Sequence, residues 1–183
     1  PCGPTAEAAQ GFEDVKPRLV PEVTSTDTFY ITTKNVIDPT VDGKTWRLQF
    51  KGMVDNPYSL TLDEVMALPS ESRTHTLACI SNGVGGALIG NGRWRGVSFV
   101  ELVKRAKPMP GVLDVIVKGA DGYTDSFSLD AALNNNGLLA FEMNGEPLNN
   151  KHGYPLRLLI PGIFGMKNCK WITEVEFVNR DHK

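Results

Sequence analysis

Cys79 stands in the run Thr76-Leu77-Ala78-Cys79-Ile80-Ser81-Asn82, just ahead of a glycine-rich segment, and a thiol there could act as a nucleophile or a metal ligand. It lies inside residues 72–100, which contain no Asp or Glu but hold Arg73, His75, Arg93 and Arg95. A second acid-free stretch, 147–173, holds Lys151, His152, Arg157, Lys167 and Lys170. The chain carries 21 acidic residues against 19 Lys and Arg, so positive charge is concentrated locally, not overall. Such local concentration implies a discrete anion site and no nucleic-acid surface. If the two stretches meet in the fold, a thiolate sits beside cations suited to a phosphate.

Each feature also has an ordinary reading. Cys79 alone could be a buried structural thiol. No Cys-x-x-Cys, His-x-x-x-His or His-Glu-x-x-His spacing accompanies it, which argues against a zinc site. The run Gly83-Val84-Gly85-Gly86 could cradle a phosphate. It is neither a dinucleotide fingerprint, since Leu88 stands where the third glycine belongs, nor a P-loop, since no Gly-Lys-Ser/Thr follows. Arg157, inside the apolar run Leu156 to Ile160, requires a counter-charge, which a bound phosphate or an internal ion pair could supply. Cys169 reads as a packing residue, and Cys2 as an incidental thiol. Three cysteines make a disulfide scaffold improbable.

The elements that must position these groups can be read from pattern. A length of 183 residues suits one domain with a substantial core. No apolar run reaches the length of a membrane span. Residues 1–26, rich in Pro, Ala, Glu, Thr and Ser, read as a flexible linker, and 27–183 as the folded domain. Beginning at Pro1 is read as a sign of processing or truncation. Alternation predicts strands over 46–54, 74–80, 114–119, 124–128, 138–143, 154–160 and 170–178. In the last of these, Trp171, Thr173, Val175 and Phe177 are expected on one face. Thr61 with Glu64 and Ser98 with Glu101 are capping-box pairs that open helices running to 68 and 106, and a short helix is expected over 129–133. Residues 81–92, with five glycines, read as a loop, and Asn144-Gly145-Glu146-Pro147 as a turn. The result is an α+β domain of mixed sheets with short helices.

Four blocks, taken in order, resemble the sulfite oxidase-type molybdopterin-binding domain over residues 29–177. They are the Cys79 segment, Gly92-Arg93-Trp94-Arg95-Gly96-Val97, Phe141 to Leu148 leading into His152-Gly153-Tyr154-Pro155-Leu156-Arg157, and Pro161-Gly162 through Gly165, Lys167 and Lys170-Trp171. The likeness is greatest to exported or membrane-associated bacterial members, including periplasmic methionine-sulfoxide reductase catalytic subunits. The resemblance implies a molybdenum-pterin cofactor held by dithiolene sulfurs and one protein thiolate, Cys79. It also implies cofactor contacts from Arg157, Lys167, Lys170 and His152, more weakly from Arg93, and from Lys34 and Asn35 of an opening block that starts at Phe29 and Tyr30 and passes near the metal. Tyr123 and Asp125 resemble a block at the active-site mouth. Two departures count: Thr32 and Gly83 stand where sulfite oxidases carry arginines that surround an anionic substrate.

The expected function is therefore oxygen-atom transfer on a small substrate, tilted toward reducing a neutral oxide such as a sulfoxide, with sulfite oxidation as an alternative. A docking or anion-binding module that keeps the fold, and a thiol enzyme using Cys79 with His75 or His152, are the other readings. Neither an immunoglobulin-like domain nor a cytochrome b5 segment is found in the chain. Electrons are expected to pass through a separate or membrane-embedded haem partner. The resemblance implies an extracytoplasmic, periplasmic location with membrane anchoring in a longer protein.

Overall fold

The structure is a computed structural model that describes residues 19–34 and 36–182. Two five-stranded sheets carry the fold. The first has the order β2-β1-β10-β5-β6, from β1 (Arg47–Gly52), β2 (Tyr58–Thr61), β5 (Asp114–Gly119), β6 (Thr124–Ser128) and β10 (Ile172–Val178). All its pairings are antiparallel except β1 with β10. The second runs β3 (Ser70–Ala78), β4 (Ile89–Ser98), β7 (Leu138–Met143) and β8 (Glu146–Pro147), with β9 (Arg157–Leu159) also paired to β7. Among the described residues three short helices complete it: α1 (Leu62–Met66), α2 (Phe99–Ala106) and α3 (Leu129–Asn134). This is the expected α+β arrangement of mixed sheets. No helix among the described residues is long and apolar enough to cross a membrane.

Local chemistry accounts for most boundaries. Thr61 and Glu64 form the full reciprocal capping box at α1. At α2, Ser98 accepts from the Glu101 amide while Glu101 turns to pair with Lys104 at 3.0 Å, so only half of that box forms. β5, β6 and β7 match the alternation closely.

Four expectations need correction. Residues 89–98, read in part as loop, form the long strand β4. The strand expected over 154–160 shortens to β9, because Pro155 has no N–H for a ladder. In β10 the register shifts between Ile172 and Glu174, so Ile172 joins Val175 and Phe177 in the core while Thr173 stays partly exposed. The packed body also reaches back into the expected linker. Thr24 is buried and exchanges bonds with Asn91, and Asn144 donates to Thr24 and Thr26.

The core has two parts. The larger lies among the first sheet, the helices and Leu139, Leu156, Leu158 and Ile160. The smaller gathers Phe29, Leu77, Trp94, Leu138, Ala140, Met143, Leu148 and Leu159, with Tyr30 and Tyr154 packed on it. This second cluster is the floor on which the candidate site is built.

Candidate active site

Cys79 follows β3 directly, and its amide donates to Leu88 O at 2.9 Å, so the β3–β4 hairpin holds its backbone. Asn82 braces the glycine loop beyond it, closing a turn on Cys79 O at 3.0 Å and accepting from the Leu88 amide at 2.8 Å. The Cys79 side chain is half-buried and faces a cavity of about 230 Å³. That cavity also receives Tyr30, Lys34, His152, Arg157 and Lys170, so the two acid-free stretches do meet.

Arg157 is the most constrained of these. Its neighbours Leu156 and Leu158 are fully buried, and its own exposure is 7%. No carboxylate pairs with it among the described residues. Nη1 reaches His152 O at 3.4 Å, the guanidinium lies 5.5 Å from the Trp94 ring centre, and Nε has no partner. Burial pulls its pKa down to about 10.

The other cations are under similar pressure. Burial, then Arg157, pushes Lys170 down to about 8, and its ammonium reaches Lys151 O at 3.2 Å and lies 4.1 Å from the centre of the Trp171 ring. His152 ends a 3-10 turn capped by Asn149, gives or takes a bond with Thr26 O at 3.0 Å and meets Phe29 edge-on. Burial lowers its pKa, against the Thr26 bond. His75, buried with an unpartnered Nε2, is pushed down to about 4 by burial and then by Arg157 and Arg73.

Two expected cofactor residues are not among those lining the cavity. Lys167 gives its ammonium to Asp125 Oδ1 at 2.8 Å and to Ser126 O at 2.5 Å. Arg93 is exposed because Trp94, next to it on β4, faces inward and strand alternation sends Arg93 the other way. Asn35 lies outside the described residues. The glycines of the 83–86 run do not line the cavity either.

Asp121, Asn168 and Cys169 are among the lining residues that sequence reasoning did not place there. Asn168 is buried and ties Ile160 N to Phe164 O, which shapes the loop between them. Cys169 packs in the larger core as expected, but it also borders the cavity, and burial pushes its thiol up to about 12. A readable signal existed for Asp121, because Asp121-Gly122 is a turn dipeptide between two predicted strands.

The donor set can be tested against the group that the resemblance implies. Among the described residues no three His, Cys, Asp or Glu side chains converge to hold a metal. A metal on Cys79 must therefore bring most of its ligands with it, as a dithiolene-bearing pterin does. Buried Arg157, whose Nε is unpartnered, and the Lys170 ammonium suit the anionic end of such a group. The residues fit.

Fold and site together define an α+β domain in which one cysteine thiol and several buried or half-buried cations share a cavity. Residues 35–183 match the family model described as the oxidoreductase molybdopterin binding domain, and the chain belongs to that family. Molybdopterin with molybdenum is the cofactor of this class of oxidoreductases. An uncharacterized oxidoreductase of Bacillus subtilis (strain 168) is 30% identical over 92% of this chain and 83% of its own length. The mitochondrial sulfite oxidase of Drosophila melanogaster is 30% identical over 78% of this chain and 29% of its own. A protein-methionine-sulfoxide reductase catalytic subunit of Xanthomonas axonopodis pv. citri (strain 306) is 30% identical over 96% of this chain and 60% of its own. The last two relatives thus extend well beyond the region they share with this chain. The sulfane dehydrogenase SoxCD of Paracoccus pantotrophus superposes with a TM-score of 0.73 at 25% identity, over 78% of this chain and 40% of that one.

Proposed function

We propose that this domain uses a molybdenum-pterin cofactor to transfer an oxygen atom to or from a small substrate, and that the substrate is a neutral oxide such as a sulfoxide. The observation that carries the reading is Arg157: a buried guanidinium with an orphaned Nε, in the same cavity as the Cys79 thiol. Such a charge is costly without an anion, and the cofactor's phosphate-bearing tail is one.

When bound, the cofactor supplies two-electron oxygen-atom transfer chemistry. The chain supplies the rest. Cys79 gives the protein thiolate, and its amide bond to Leu88 O fixes the approach of the sulfur. Arg157 and Lys170 bind the anionic end, His152 adds a polar contact held in place by Thr26, and Lys34 stands at the rim. Tyr30, stacked on buried Phe29, forms part of one wall. The preference for a neutral substrate is supported by Thr32, which lines the cavity, and by Gly83, since the resembling sulfite oxidases carry arginines at both positions. Electron exchange through a separate or membrane-embedded haem protein, and an extracytoplasmic location, are supported by the resemblance to exported members.

The test is expression in a host that makes molybdopterin. Near-stoichiometric molybdenum that is lost in Cys79→Ala is expected, together with turnover of sulfoxides by reduced viologen that exceeds any oxidation of sulfite. A folded protein that excludes the pterin would sink the class. Faster sulfite oxidation would sink the substrate preference alone.

A further inference from the structure

We propose that Asp125, itself held by Lys167, is a positioning residue for Tyr123: it draws the phenolic proton onto the protein wall and leaves no free donor there for a molecule in the cavity. The functional weight of this rests on the reading of that cavity as the cofactor and substrate site.

Tyr123 lines the cavity, directly after the Asp121-Gly122 turn. A phenol has one proton to give. Two acceptors compete for it, Asp125 Oδ2 at 2.9 Å and Met166 O at 3.1 Å, and both are protein groups: Met166 lines the cavity, whereas Asp125 is not among its lining residues. Neither a carboxylate nor a carbonyl can return a proton, so the direction of the bond is fixed. The carboxylate is immobilised in turn. Its Oδ1 accepts from Ser126 N at 2.7 Å and from Lys167 Nζ at 2.8 Å, and the same ammonium reaches Ser126 O. These bonds join β6 to the 3-10 turn at Gly165–Lys167. A surface ion pair with Lys167 38% and Asp125 15% exposed contributes little to stability. Its value is geometric: Lys167 is spent on Asp125, and Asp125 on Tyr123.

Burial first, then the bond and charge of Asp125, with smaller effects from Cys169 and Asp121, hold the phenol well above its ordinary range. The hydroxyl therefore stays protonated and stays engaged.

The experiment is an NMR titration of cofactor-free protein labelled with 13Cζ-tyrosine, so cofactor loading and turnover do not enter. Tyr123 is assigned by the signal missing in Tyr123→Phe. In the native chain its resonance is expected to remain that of a phenol up to about pH 11. In Asp125→Asn the midpoint falls by at least about one pH unit, a tenfold rise in the ionisation constant. A purely structural role for Asp125 would not move that midpoint. The native measurement stands alone should Asp125→Asn not fold. Ordinary titration of Tyr123 near 10 in the native chain, or an unchanged midpoint in a folded Asp125→Asn, overturns the proposal.

Discussion

Replacing Arg157 with Met should make the cofactor-free protein more stable while destroying its ability to retain the cofactor. The difference between the usual 12.5 and about 10 for the buried guanidinium, at about 1.4 kcal/mol per tenfold change in ionisation constant, corresponds to roughly 3 kcal/mol against folding. The sign follows from linkage. A cation whose folded value is lowered is penalised at every pH below that value, so the full cost is present at pH 7 to 8. Against it stand two contacts that Met would lose. The bond to His152 O at 3.4 Å is too long to count for much. The Trp94 ring at 5.5 Å is worth about 0.5–2 kcal/mol when desolvated. Met has similar length and fills the same slot with little strain. The net expectation is a gain of about 1–2 kcal/mol, read from urea unfolding of both cofactor-free proteins at one pH. Molybdenum analysis after expression in a competent host should show near-complete loss. Arg157→Met that is less stable than the native chain would mean the guanidinium is satisfied internally, and the reasoning would fail.

Cys79→Ser should leave stability within about 1 kcal/mol, because the side chain is half-buried and packs little, yet release the metal. Iodoacetamide should label Cys79 in the cofactor-free protein and not in the loaded one. Gly165→Ala should cost about 1–3 kcal/mol by overpacking, since a Cβ there would collide with the Tyr30 hydroxyl and approach Ala78 O at 3.3 Å. Altered Tyr30 fluorescence and weaker cofactor retention would accompany it. For His75, pushed down to about 4 by burial and then Arg157, the unfolded chain takes up a proton below about 6.5 while the fold does not. Stability is therefore lost as pH falls from 6.5 to 4, by up to about 3 kcal/mol, and His75→Gln should flatten that limb relative to the native chain.

How much of this was legible depended on what each residue was doing. The capping pair Thr61 and Glu64 and the strands β5 to β7 were readable because their signals are local. β4 was not, because its glycines look like loop residues. They are packing residues instead: a Cβ on Gly92 would meet the Trp94 indole at 2.6 Å, and one on Gly90 would meet the Phe29 ring at 2.7 Å. Glycine counts cannot distinguish a turn from a strand that yields space to an aromatic ring. The meeting of Cys79 with His152, Arg157 and Lys170 was suggested by their setting in acid-free stretches. The fate of Lys167 was not, since its partner Asp125 lies 42 residues away, on β6. Charge density along a chain locates a site; which cation is already neutralised depends on pairing across the fold.

That distinction explains why the cavity is shaped as it is. Arg157 appears among the influences that lower His75, His152 and Lys170, and burial leads for each of them. Four groups that would carry positive charge are thus close enough to oppose one another; three of them, His152, Arg157 and Lys170, line the cavity, where Asp121 is the one carboxylate among the described lining residues. Every step of folding that buries this set opposes protonation, and each protonated member weakens its neighbours' hold on a proton. A bound anion reverses both terms together, restoring solvation to the charges and screening them from one another. Lys167, by contrast, is already paired with Asp125 and so is not free to hold such an anion. The unneutralised cations, and not the most numerous ones, mark the end of the cavity at which an anionic tail would bind, with Cys79 marking where the metal would attach.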